Sequence, residues 1–278
     1  MSVRPWLLVG PAVAVLGGLF VIPLLVVASG PTLSDWRQAA ADPELLGALW
    51  LSLRVAAVST VISLAAGFGL AVLLQGSGRL TGFLARFPLV VPHLVVGYTV
   101  LLFLGRSGLL ARLAYAIGLI REIDQFPVLV HDAFGWGIIF AYVWKEAPFI
   151  ALLVLPLLGG GTTAWREAAR TLGARPWQAL RYVVLPLTWP ALAAGGAIIF
   201  AYSFGAFELP LILGRSYPRA LPVLAYERYV SPDLTLRPEA MAIALLMALV
   251  SLASAGGYLA FLRKLEAALA SVRRDEHA

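Results

Sequence analysis

The densest set of residues in a fixed relation to one another runs from Glu167 to Pro186. Glu167, Ala168 and Ala169 are followed by Arg170, by Gly173, and then by Val183 and the Leu185–Pro186 pair. The pattern is E-A-A-x3-G-x9-(I/V)-x-L-P. The segment combines an acid, two small residues and the basic Arg170, Arg175 and Arg181, which by themselves also suit a plain loop beside phospholipid headgroups. A second set, Lys145, Glu146 and Glu208, stands out because each lies within apolar sequence. An ionisable group at bilayer depth costs at least about 2.5–3.5 kcal/mol on insertion scales, so each needs a reason to be there.

Bond-making chemistry has no comparable set. The chain has no cysteine, which removes disulfides, thiolate metal sites and thiol nucleophiles. His93, His131 and His277 are far apart and show no metal-ligand spacing. A nucleotide phosphate loop needs a Gly-Lys pair, whereas Lys145 and Lys264 follow Trp144 and Arg263. The run Gly159-Gly160-Gly161-Thr162-Thr163 lacks that lysine and reads as a flexible exit from an apolar span. With no G-x-S-x-G elbow either, the expectation is a chain that is not an enzyme, with no metal and no cofactor of its own.

The elements that must position these residues follow from composition. The chain of 278 residues is 60% hydrophobic and 13% charged, against about 25% charged in soluble domains. It therefore reads as an all-α integral membrane protein forming one domain over 1–278. A crossing helix needs about 20 mostly apolar residues. Six stretches qualify: 6–28, 46–74, 87–105, 134–158, 187–210 and 240–262. The first is too long for a signal-peptide core of roughly 7–15 residues and reads as an uncleaved helix. Basic residues are dispersed between the spans rather than gathered on one face, which argues against nucleic acid.

Six spans put both termini on one side. With the termini inside, the inner segments hold eleven basic residues, from Arg4 and Arg79 to Arg273 and Arg274, against eight outside. That bias favours an N-in/C-in arrangement and places 159–186 in the cytoplasm. Prolines at 23, 88, 92, 148, 156, 190 and 210 punctuate the spans, where neighbouring helices can satisfy the freed carbonyls. Runs such as Ala65-Ala66-Gly67 and Ala193-Ala194-Gly195-Gly196 permit close helix approach. Arg54 is expected to snorkel to the outer surface.

Within 159–186, Thr162 and Thr163 offer N-caps for a helix over 165–172, with Glu167 at its positive end. Gly173 suits the C-terminal stop. Pro176 suits the first turn of a second helix over 177–184, which Pro186 ends or kinks. The segment and its spacing resemble the cytoplasmic signature loop of the membrane subunits of binding-protein-dependent ABC importers. That resemblance implies the type I importer permease fold. It also implies that the two short helices couple to a separate ATPase, Glu167 making polar contact, Ala168 and Ala169 allowing close packing, Gly173 permitting the sharp turn, and Arg170, Arg175 and Arg181 as further contacts. Leu185 and Pro186 close the motif. ATP and magnesium would then belong to the ATPase.

Tyr98, Tyr142, Trp144, Lys145, Glu146, Tyr202, Phe207 and Glu208 are candidates for lining a solute path, with a structural role the alternative for each. His93 is expected at a helix end. Val91-Pro92-His93-Leu94, Trp144-Lys145-Glu146-Ala147-Pro148 and Phe204-Gly205-Ala206-Phe207-Glu208 resemble permeases grouped with spermidine/putrescine importers. A polyamine would suit Glu146 and Glu208, while Lys145 and the outer arginines argue equally for an anion. The resemblance further implies two ATPase subunits, a second permease (a heterodimer favoured over a homodimer) and an extracytoplasmic solute-binding protein. The setting is the bacterial inner membrane, in direct contact with its lipid bilayer. The rival reading is an ion-coupled secondary transporter or channel, which leaves the 167–186 pattern unexplained.

Overall fold

A computed structural model describes the backbone of residues 5–159 and 161–275. Arg4, Gly160 and His277 lie outside the described residues, as do the side chains of Arg79, Arg273 and Arg274. In chain order the helices are α1 (Pro5–Ser29), α2 (Leu33–Ala41), α3 (Pro43–Leu74), α4 (Arg79–Val90), α5 (His93–Leu104) and α6 (Leu109–Ala116). They continue as α7 (Trp136–Leu158), α8 (Gly161–Thr171), α9 (Pro176–Ala179), α10 (Leu185–Gly205), α11 (Glu208–Leu213), α12 (Leu221–Val230) and α13 (Arg237–Asp275). Six helical stretches are long and apolar enough to cross a membrane.

Local chemistry sets the helix starts. The Asp42 carboxylate accepts from the Glu44 N–H at 2.8 Å, and Pro43 occupies the first turn of α3. Asp132 accepts from the N–H groups of Phe134, Gly135 and Trp136 at 2.8–2.9 Å, which opens α7 at Trp136. Arg54 does not simply reach for water. Its guanidinium donates to the Ala133 carbonyl at 2.7 Å and sits 4.6 Å over the Phe134 ring, because this loop lies beside α3.

Helix association in lipid gains little from the hydrophobic effect and rests on close packing. The α3–α7 pair is the most extensive in the bundle, and Gly67 sets its separation. A Cβ there would lie 2.5 Å from the Ala147 carbonyl oxygen and 2.5 Å from Ile150 Cβ. α10 packs against α3, α7 and α13. One cluster, including Val55, Val96, Ile138, Tyr142 and Leu209, joins α3, α5, α7 and α11. A second, including Ile150, Val154, Leu158, Val184 and Ile199, ties α3, α7 and α10 near the 161–184 segment.

Two spans differ from expectation. The stretch 87–105 is not one helix: α4 ends at Val90, Val91 is extended (φ −73°, ψ 126°), and α5 starts at His93. Pro92 causes this, since it lacks an N–H and pushes its predecessor out of the helical region. The fifth span is helical from Pro176 and stops at Gly205, not at Pro210. Ala206 is extended, and Glu208 opens the separate helix α11.

Candidate functional site

The first candidate region is the hairpin of α8 and α9. Thr162 and Thr163 do not cap α8 from outside it. They lie in its first turn and donate back to the Leu157 and Leu158 carbonyls at 2.5 and 3.4 Å, which joins α8 to the end of α7. Gln75, at the end of α3, donates to the Leu158 carbonyl at 2.8 Å and accepts from Arg166. Gln75 was not among the expected residues, although a lone amide closing a long apolar helix is a visible signal.

Gly173 makes the turn as its sequence context predicts. Its φ is +87°, in the left-handed region that glycine enters without a Cβ clash. The Gly173 N–H bonds to the Arg170 carbonyl (2.9 Å) and the Ala174 N–H to that of Ala169 (3.0 Å). These are the paired bonds of a Schellman stop. Gln178 accepts from the Arg175 N–H at 2.7 Å, and Pro176 begins α9.

Pro186 neither ends nor kinks the second helix out of line. A π-helical turn over Leu180–Val184 leads from α9 directly into α10, with Pro186 in the first turn of α10. That widened turn and a first-turn position remove the need for the proline's missing N–H. The hairpin is therefore continuous in helical backbone with the fifth span. Leu185 is half-buried and Pro186 exposed, while Ala179 and Val184 anchor the turn in the core.

The outward face of the hairpin is exposed and apolar. Leu172 is 88% exposed, and Trp165, Trp177 and Tyr182 are each more than half exposed. Glu167, Ala168, Arg170 and Arg175 are exposed, with Ala169 partly covered. Glu167 makes no ion pair or side-chain hydrogen bond among the described residues. A membrane-distal face with this much apolar surface beside unpaired charge has the make-up of a protein contact.

The second region is where two helices break side by side. Lys145 is buried on α7, and its Nζ donates to the carbonyls of Val91 (2.6 Å), Pro88 (3.2 Å) and Leu89 (3.3 Å). Three donors meet the carbonyls that the Pro92 break leaves without helix partners. The ammonium also faces the negative end of α4. Its geometry is that of a cap on the broken helix. Glu146, one residue on, points elsewhere: its Oε1 lies 3.7 Å from His93 Nε2, at the start of α5.

His93 extends this group to α10, with its ring 5.1 Å from that of Tyr202. Tyr202 in turn lies 6.3 Å edge-on from Tyr142. Tyr142 is fully buried with an unpartnered hydroxyl, and Ser203 beside Tyr202 has one too. Glu208 follows the α10–α11 break and opens α11. Glu146, His93, Tyr202 and Tyr142 thus form one polar group beside the α4–α5 break. The other expected path residues fall outside it. Trp144 lines an apolar groove with Phe103 and Phe140, and Phe207 packs its ring 4.8 Å from Tyr226 on α12. Tyr98 is exposed on α5 and shares none of these ring contacts.

The fold and these two regions define an all-helical, multi-pass membrane protein with an exposed helical hairpin at one end. Residues 78–266 match the family described as binding-protein-dependent transport system inner membrane component, and the chain belongs to that family of importer permeases. It is 32% identical over 253 residues to the molybdenum transport system permease protein ModB of Mycobacterium tuberculosis, covering 87% of this chain and 88% of that one. It is 29% identical over 210 residues to the sulfate transport system permease protein CysW of Escherichia coli, covering 73% and 68%. In fold it is similar to a subunit of a bacterial alginate ABC transporter crystallised with an alginate pentasaccharide-bound periplasmic protein (TM-score 0.78, 19% identity, 94% and 96% covered).

The chain is accordingly a transport component of the inner membrane and not an enzyme. The narrower spermidine/putrescine resemblance gives way, since these relatives are named for molybdenum and sulfate. The segments that suggested it build the helix breaks, which serve the bundle whatever the solute.

Proposed function

We propose that this chain is one permease half of an ATP-driven importer, lying N-in/C-in, whose α8–α9 hairpin docks on a separate ATPase subunit. The observation that carries this is the hairpin itself. It presents Trp165, Leu172, Trp177 and Tyr182 to solvent at one end of the bundle and runs unbroken through the π turn into α10. A displacement applied to the hairpin moves a helix carrying Tyr202 and Ser203 in the polar group.

The assembly comprises two ATPase subunits holding ATP and magnesium, a second permease in a heterodimer, and a solute-binding protein at the opposite end. Glu167 meets polar groups of the ATPase, with Arg170 and Arg175 at the margin. The solute is a small oxyanion of the molybdate or sulfate kind, a reading supported by the relatives' names.

The test is affinity purification of the chain from its native membrane, with mass spectrometry of what accompanies it. An ATPase subunit should come with the native chain and be lost from the Glu167→Ala, Gly173→Pro variant. Absence of any ATPase from well-expressed native chain in several mild detergents would sink the reading.

A further inference from the structure

We propose that the end of the bundle opposite the α8–α9 hairpin holds an anion-binding site between α5 and α6, built on Arg106 and Arg112. A cavity of about 930 Å³ lies there. Its polar side carries Arg106, Arg112, Ser107 and His131, and its other wall is apolar, including Leu102 and Val128. Among the described residues none of its lining is acidic, and Glu122 lies beside Arg121 in the adjoining hollow that shares Arg106 and Arg112.

Two arginines at this end are already neutralised, whereas Arg106 and Arg112, like Arg37, Arg121 and Arg215, make no ion pair among the described residues, and of these five only Arg106 and Arg112 line the cavity. Arg219 is held between Glu44 and Glu227, at 2.8 and 2.6 Å. Arg228 is held between Asp42 and Glu239. Arg106 has no ion pair or side-chain hydrogen bond among the described residues. Arg112 uses Nε on the Ser107 carbonyl at 3.0 Å, which fixes the side chain and leaves its terminal nitrogens available.

The facing wall is also fixed. His131 has φ +59°, a left-handed conformation uncommon for a residue with a side chain. Two contacts hold it: its N–H bonds to the Leu213 carbonyl, and its Nε2 lies against the Ile212 carbonyl, both at 3.0 Å. Strained backbone of this kind persists where the surroundings determine it, and here it sets one side of the cavity.

Two guanidinium groups beside a hydroxyl suit a tetrahedral oxyanion, whose oxygens accept the planar forked donors in pairs. Two sources carry that chemistry. One is a free oxyanion solute, which rests on the transport reading above. The other is the phosphate of a lipid headgroup, whose chain the apolar wall would receive. Both are anions bound by Arg106 and Arg112.

The full chain, with whatever subunits it retains, is purified in neutral detergent. Binding of radiolabelled sulfate and of molybdate is measured by equilibrium dialysis, and retention of phosphatidylglycerol by native mass spectrometry. At least one probe should bind saturably, and R106Q/R112Q should weaken it about tenfold or more, the scale of lost charged hydrogen bonds. R37Q, at an exposed arginine on α2, should change nothing. The R106K/R112K pair keeps charge and folding and should fall between. Saturable sulfate or molybdate identifies a free anion, and retained phosphatidylglycerol a lipid headgroup. No saturable probe, or equal binding by the native chain and both paired variants, overturns the site. Accompanying ATPase, scored in the same preparations, reports separately on the permease reading.

Discussion

The Nζ of Lys145 lies 2.6 Å from the carbonyl oxygen of Val91, across 54 residues of sequence. That one bond, with its partners at Pro88 and Leu89, joins the middle of α7 to the point where the third apolar stretch breaks. A lysine placed within apolar sequence caps a half-helix. By holding α4, it also positions the start of α5 and so His93 beside Glu146.

Replacing Lys145 by Met should destabilise the bundle strongly. Three carbonyls would lose their donors inside the protein, and each buried unsatisfied group costs about 1–3 kcal/mol. Thermal unfolding in detergent should show a marked loss of Tm for Lys145→Met and a smaller one for Lys145→Arg. An unchanged Tm in the Met variant would refute the capping role.

Gly173 is required for its backbone alone. A Cβ there would meet nothing within 4 Å, so space is not at issue, whereas φ +87° is. Gly173→Asn should therefore keep accompanying ATPase, since Asn tolerates the left-handed region, and Gly173→Val should lose most of it. The strain is about 1–2 kcal/mol and bears on the turn, not the bundle. Quantitative mass spectrometry of the purified complexes measures the difference.

Gly67 is required for space. Gly67→Ala would drive a methyl to 2.5 Å from the backbone of α7, and overpacking of this kind costs about 1–3 kcal/mol. Gly69→Ala, two residues on, meets open space and should be tolerated. Comparing the unfolding temperatures of the two variants isolates the contact, because both add the same atoms to the same helix.

Acid should loosen the end of the bundle that carries Asp42. Partial burial pushes that carboxyl up, but the Arg228 guanidinium and the Glu44 N–H outweigh it and hold Asp42 below its ordinary value of 3.8. A carboxylate with a lowered folded pKa contributes stability that is fully present above its unfolded value. That stability is lost as pH falls below 3.8 and through the folded pKa. Unfolding temperature followed from pH 7 downward should drop over that acid range in the native chain. Asp42→Asn should start lower at pH 7 and show a shallower fall.

Much of this molecule was legible before any coordinates. Uninterrupted apolar runs dictate membrane-crossing helices, because a backbone in lipid must satisfy its own hydrogen bonds. The stop at Gly173 and the start at Pro176 were equally local matters of turn chemistry. Proline positions showed where spans could break. They could not say which would, because Pro148, Pro156 and Pro190 all lie within continuous helices while Pro92 ends one.

Tertiary structure decided the rest, because those outcomes rest on contacts between distant segments. Whether Pro92 breaks its span depends on a donor for the exposed carbonyls, and Lys145 supplies it from another helix. Glu146 and Lys145 are neighbours in sequence but point apart around α7, one to His93 and one to the α4 end. Trp144 and Phe207, grouped with them by position along the chain, turn out to face apolar surroundings. The sequence by itself determined that the apolar runs are helical and where the hairpin turns, since those follow from residue types over a few positions. Which ionisable side chains meet one another, and which cap a helix end, was decided by packing alone, because helix rotation and approach are set by contacts such as that of Gly67 with Ile150.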